Sequence, residues 1–186
     1  ISKMKYEGAG TIEFLYENNE FFFIEMNTRL QVEHPITEAV FGIDLVKEQI
    51  NVAYGIDMSL SQKHLEPKGH AIECRINAER LPNFSPSPGN IKEFHSPGGI
   101  GIRMDSAIYN GFRVPPYYDS LIGKLIVHAD SRSMALGRLS RALDELIIDG
   151  VYTTVDLFKD ILDQADFKNG DYDIHWLEQW LSDQVQ

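Results

Sequence analysis

The chain has a single cysteine, Cys74, in 186 residues, which excludes an internal disulfide and any cysteine-based zinc cluster. No apolar run approaches the ~18 to 20 residues that a membrane span needs. Basic residues are scarce: 17 Lys and Arg stand against 28 Asp and Glu, for a net charge of −11. Such a surface repels nucleic acid and anionic membranes in bulk, so neither is expected as a partner. An anionic substrate needs a local cationic pocket or a divalent cation. No repeat, low-complexity tract or basic leader is evident, and an intracellular protein is the expectation. What is present is ordinary for a folded chain, with 43% apolar and 24% charged residues.

Proline marks the organisation. Seven of the eight prolines fall between Pro67 and Pro116 and none follows, so short strands and turns are expected in the middle and helices at the end. The polar stretch from Lys63 to Gly69 marks a boundary, giving segments 1–65 and 66–186. The first segment opens without Met in a short helical turn (1–6). With one hairpin and two helices it makes a poor independent core. A C-terminal piece of a larger protein is therefore expected.

Thr11 to Tyr16 and Phe21 to Asn27 both alternate apolar and polar residues about the turn signal Glu17-Asn18-Asn19-Glu20. A two-residue turn would set Ile12, Phe14 and Tyr16 across from Glu25, Phe23 and Phe21. A three-residue loop would set them across from Met26, Ile24 and Phe22, joining apolar to apolar on the core face. The second register is expected, and it pairs Glu13 with Glu25 and Thr11 with Asn27. Two carboxylates about 5 Å apart repel unless solvent, a shared proton or a divalent cation intervenes. Glu13, Glu25 and the Asn27 amide oxygen are hard ligands suited to Mg²⁺ or Mn²⁺. A solvent-facing strand, or an acid and base pair of glycosidase type, fits the same pattern.

Next comes Thr28-Arg29-Leu30-Gln31-Val32-Glu33-His34-Pro35. Arg29 can hold a small planar anion with its fork of donors, Gln31 and main-chain N–H groups can add contacts, and Glu33 can act as a base. The bland alternative is an exposed polar loop. Glu13, Glu25, Asn27, Arg29, Gln31 and Glu33 share one phase and lie on one face if the strand continues. The backbone before Pro35 is expected to be extended. Thr37 is expected to cap one short helix ending by Gly42, and Asp44 a second over 45–54 with Leu45, Val46, Ile50 and Ala53 buried.

The run Glu25-Met26-Asn27-Thr28-Arg29-Leu30-Gln31-Val32-Glu33-His34-Pro35-Ile36-Thr37-Glu38 strongly resembles the signature of biotin carboxylases, the ATP-grasp component of acetyl-CoA, propionyl-CoA and pyruvate carboxylases. The likeness continues through 69–79, Pro86-Ser87-Pro88-Gly89 and 115–125, nearly the whole chain. It implies an α+β fold: the end of an ATP-grasp domain followed by the biotin carboxylase C-terminal domain. Glu13, Glu25 and Asn27 resemble the ligands of the Mg²⁺ or Mn²⁺ ions that bridge the phosphates of ATP. Arg29, Gln31 and Val32 (through its main chain) resemble the bicarbonate site. Glu33 resembles the base that deprotonates bicarbonate, and Arg75 the residue that steadies the biotin enolate. The implied partners are a biotin carboxyl carrier protein or domain, a carboxyltransferase component and a second copy in a homodimer. The implied compartment is the cytoplasm, or the mitochondrial matrix in a eukaryote. The family's glycine-rich lid and phosphate-holding lysines have no counterpart in these residues, so no turnover is expected of the chain alone.

From the residues alone, Ile72, Cys74 and Ile76 alternate with Glu73, Arg75 and Asn77, and without the resemblance the reading to prefer is a strand with a structural Glu73–Arg75 ion pair. Lys124, flanked by apolar residues, is expected to extend to solvent. Strands are expected over 90–94, 100–104 and 124–128. A helix capped by Ser131 should bury Ala135, Leu139, Ala142, Leu143 and Leu146, with further helices over 154–162 and 174–181. The competing functions are another ATP-grasp ligase, against which the 29–33 segment and Arg75 argue, and a binding or dimerisation module.

Overall fold

The computed structural model describes residues 2–58 and 60–184 and separates into two units, one through residue 68 and one from residue 69 onward. Of the helical opening expected over 1–6, a 3₁₀ turn spans Ser2–Met4, and Ile1 lies outside the described residues.

In the first unit, strands β1 (Thr11–Glu17) and β2 (Glu20–Asn27) form an antiparallel hairpin. Its register differs from the expected one. Asn18 and Asn19 both take positive φ, 51° and 65°, in a two-residue turn closed by Glu17 and Glu20. Asparagine tolerates that region, and such turns match strand twist better than a longer loop. Tyr16 therefore faces Phe21, and Phe14 faces Phe23. A register shift after Glu13 then leaves Ile24 as the extra residue, and beyond it Glu13 faces Glu25, Ile12 faces Met26 and Thr11 faces Asn27. Each of the two registers weighed from sequence thus holds for half of the hairpin. Nor is Phe14 on a core face: it is 49% exposed, in edge contact with Phe21 and Phe23, because a two-stranded ribbon cannot cover its own face.

Strand β2 stops at Asn27, so residues 29–33 do not extend its face. Helix α1 (His34–Phe41) starts earlier than expected, with Glu33 at its N-cap. His34 is helical rather than extended, and Pro35 sits in the first turn, where its missing N–H costs nothing. Asp44 does cap α2 (Leu45–Ala53), accepting the Lys47 N–H at 2.8 Å. The expected burial of that helix is absent, with Val46 and Ile50 43% and 51% exposed.

The second unit is built on a three-stranded antiparallel sheet in the order β3 (His70–Asn77), β10 (Leu121–Ala129), β8 (Ile102–Ser106). Short ribbons surround it: β4 (Glu79–Arg80) with β5 (Ser85–Pro86), β6 (Gly89–Asn90) with β9 (Arg113–Val114), and β7 (Glu93–His95) with β11 (Ile147–Asp149). Helix α3 (Arg132–Glu145), capped by Ser131, lays Ala135, Leu139, Ala142 and Leu143 against Cys74, Ile76, Leu125 and Val127. The turn out of β11 depends on Gly150, whose φ is +103° and where a Cβ would run into the Asn90 carbonyl.

Helices α4 (Val155–Asp163), α5 (Ala165–Asn169) and α6 (Trp176–Gln184) finish the chain. The five-residue α5 is too short for a periodic signal and was not foreseen. Phe167, Tyr172, Trp176 and Trp180 form a ladder of rings at 5.5–6.2 Å. Cys74 is buried, and burial followed by the Glu73 charge pushes its thiol up to about 12, so it is a packing residue and no nucleophile.

Leu139 is 1% exposed at the centre of the α3–sheet contact. Leu139→Ala should cost about 2–5 kcal/mol in urea unfolding of the second unit. A loss well below 1 kcal/mol would mean that α3 does not carry this core.

Candidate functional site

The shift at Ile24 sets two carboxylates of one hairpin face opposite each other. The Asn27 side chain spans them: its Nδ2 donates to Glu13 Oε1 at 2.7 Å and to Glu25 Oε1 at 3.1 Å. Gln31 Nε2 donates to the same Glu13 oxygen at 2.9 Å. Amide donors thus offset the repulsion of two like charges. Among the described residues no three His, Cys, Asp or Glu side chains group to hold a metal. A cation here would meet two carboxylates and an amide, a donor set suited to a hard ion that keeps several waters. Asn27 presents nitrogen, where a ligand role requires oxygen. A half-turn of the amide about its last bond supplies Oδ1, so the residues fit such an ion.

After β2 the chain makes a bend and a turn. The Gln31 carbonyl accepts the His34 backbone N–H at 3.2 Å and lies 2.8 Å from His34 Nδ1, which ties 31–34 into a tight corner. That corner stands in for the continued strand: it brings Arg29, Gln31 and Glu33 together on the wall of one cavity of about 500 Å³, lined also by Gly8, Gly10 and His34. Val32 is in the same corner, half-buried. The Arg29 guanidinium donates to the Leu30 carbonyl at 3.2 Å and remains exposed. The contact of Gln31 with Glu13 was not foreseen from sequence, because it requires the turn that breaks the strand pattern.

In the second unit Arg75 is exposed on the polar face of β3, as the alternation indicated. Its register partner on β10 is Lys124, whose partner on β8 is Asp105. Lys124 does not extend to solvent: its side chain is 14% exposed and its Nζ lies 3.6 Å from Asp105 Oδ2. Arg103 grips the same carboxylate with two bonds, at 2.7 and 2.8 Å. Burial pushes the Asp105 carboxyl up, but the Arg103 hydrogen bonds and charge, and then Lys124, outweigh it and hold the carboxyl below the usual aspartate range. Arg103 and Asp105 share one strand face at i, i+2, which was the available local signal; the pairing with Lys124 on another strand had none.

Two family models match the chain: the biotin carboxylase C-terminal domain over residues 73–179, and the ATP-binding domain of the carbamoyl-phosphate synthase L chain over residues 1–61. The chain belongs to the biotin carboxylase family. It is 55% identical to the biotin carboxylase of Haemophilus influenzae over 95% of this chain, and 53% identical to the chloroplastic biotin carboxylase 2 of Populus trichocarpa over 90%. It superposes with a TM-score of 0.91 and 45% identity, over 95% of its length, on the biotin carboxylase domain dimer of Hydrogenobacter thermophilus 2-oxoglutarate carboxylase in complex with MgADP, ADP and bicarbonate. The chain spans 39% of the Haemophilus protein, 32% of the poplar protein and 40% of the Hydrogenobacter chain. The fold is accordingly the end of an ATP-grasp domain followed by a biotin carboxylase C-terminal domain.

A carboxylate with a lowered pKa adds stability above its unfolded value and loses it as pH falls through the folded one. Asp105→Asn should therefore lower the melting temperature at neutral pH, and the gap to the unaltered chain should close as pH falls through the lowered folded-state pKa of Asp105. A gap independent of pH would dismiss the charge cluster as its source.

Proposed function

We propose that this chain is the C-terminal part of an enzyme that carboxylates carrier-bound biotin, using ATP and bicarbonate. The observation that carries the reading is the Glu13–Asn27–Glu25 cluster at the base of the hairpin, with Arg29, Gln31 and Glu33 gathered on one cavity wall next in sequence. Glu13, Glu25 and Asn27 would hold Mg²⁺ or Mn²⁺, which when bound neutralises the phosphates of ATP. Arg29 and Gln31, with the Val32 main chain, hold bicarbonate by its planar edge. Glu33 removes the bicarbonate proton, so that a bicarbonate oxygen attacks the γ-phosphorus while the bond to ADP breaks. The carboxyphosphate formed separates into CO₂ and phosphate. That phosphate takes the proton from N1 of biotin, Arg75 steadies the enolate, and N1 bonds to CO₂.

A carrier protein or domain would present the biotin, and a carboxyltransferase component would use the product. Homodimerisation is part of the reading, supported by the Hydrogenobacter dimer and by Ile100, which is 90% exposed two residues before β8. The reading is of a cytoplasmic enzyme; no helix among the described residues is long and apolar enough to cross a membrane. For a plant parent the chloroplast replaces the mitochondrial matrix, as the poplar relative's name states.

In the full-length parent, Glu33→Gln should abolish bicarbonate-dependent ATP cleavage, a loss of about 10² to 10⁴-fold for a general base, while ATP still binds. Unchanged turnover would reject Glu33 as the base.

A further inference from the structure

We propose that Thr154 is a positioning residue for Arg75, an inference that rests on the biotin role given to Arg75 above. Thr154 is 3% exposed and occupies the N-cap of α4. A threonine there ordinarily accepts a backbone N–H of the first helical turn. Thr154 makes no such cap. Its hydroxyl instead accepts the Asn77 N–H at 3.0 Å and donates to the Arg75 carbonyl at 3.2 Å. Its own N–H donates to the Asn77 carbonyl at 3.1 Å.

The placement explains the exchange. β3 is an edge strand, with β10 on one side only. At its end the ladder is irregular, because the register shifts between Leu121 and Gly123, opposite Asn77 and Ile76. An edge strand at such an irregularity has main-chain groups without ladder partners. One residue supplies partners for three of them, two through its hydroxyl and one through its N–H, at the residue that bears the guanidinium and two residues beyond it. Arg75 is exposed on the polar face of β3, and its main-chain position follows that of the strand edge. Thr154 therefore sets the position of a long side chain from below, without touching substrate.

The test uses the full-length parent and reads two activities: bicarbonate-dependent ATP cleavage without biotin, and its stimulation by free biotin. Thr154→Val keeps the shape and removes the hydroxyl. It should lower the biotin-stimulated rate about tenfold, through kcat or the KM for biotin, and leave the biotin-independent rate within about twofold. Thr154→Ser should restore the stimulated rate. Combined with Arg75→Ala, Thr154→Val should add no further loss. Hydrogen exchange at the Asn77 amide gives a reading independent of activity, and in Thr154→Val it should be faster. Normal biotin stimulation in Thr154→Val, equal loss of both activities, or full additivity with Arg75→Ala would overturn the proposal. If Arg75→Ala by itself leaves biotin stimulation intact, the role given to Arg75 fails, and this inference falls with it.

Discussion

The repulsion between two carboxylates held face to face is the constraint on which the candidate site depends. Glu13 and Glu25 meet only because Ile24 is an extra residue in β2. With an unbroken two-residue register, Ile12 would face Glu25 and the acidic pair would be lost. The turn at Asn18-Asn19 is the arrangement the strand twist favours, and the shift reconciles it with the pairing that the site needs. The Asn27 and Gln31 amides then hold both charges in place. Gln31 belongs also to the corner that carries Arg29 and Glu33, so the acidic cluster and that corner are one hydrogen-bonded arrangement.

The second unit solves a different problem. Its sheet packs Cys74, Ile76, Leu125 and Val127 under α3 and carries Arg75, Arg103, Asp105 and Lys124 on the other face. On that face Arg75 and Lys124 stand side by side, two cations that would repel but for Asp105 across from Lys124. Asp105 neutralises part of that charge and Arg103 fixes its carboxylate. An exposed arginine is thereby kept on a rigid frame, with Thr154 closing the strand edge at its backbone.

The legibility of these features in sequence followed the range of the forces involved. β3 was readable from end to end, because strict alternation with one buried face fixes the phase. The buried stripe of α3 was readable for the same reason, at the helical period. The hairpin was half readable: apolar pairing identified the base register, but the preference of Asn18-Asn19 for positive φ governs the tip. The start of α1 was misread because His-Pro signals extension locally, whereas the turn at the Gln31 carbonyl overrides it. The Lys124–Asp105 pair and the Thr154 contacts join residues far apart in the chain, which no periodicity can report. The roles proposed for Arg29, Glu33 and Arg75 rest on the family signature, since a polar corner and an exposed arginine carry no chemistry in their pattern alone.

The most direct test of the central claim is an anomalous difference map from crystals of the full-length parent grown with Mn²⁺ and a non-hydrolysable ATP analogue. The account predicts a manganese peak about 2.1 Å from carboxylate oxygens of Glu13 and Glu25, with the Asn27 amide turned to present Oδ1. A nucleotide-bound metal away from this pair, with Asn27 Nδ2 still donating to both carboxylates, would contradict it.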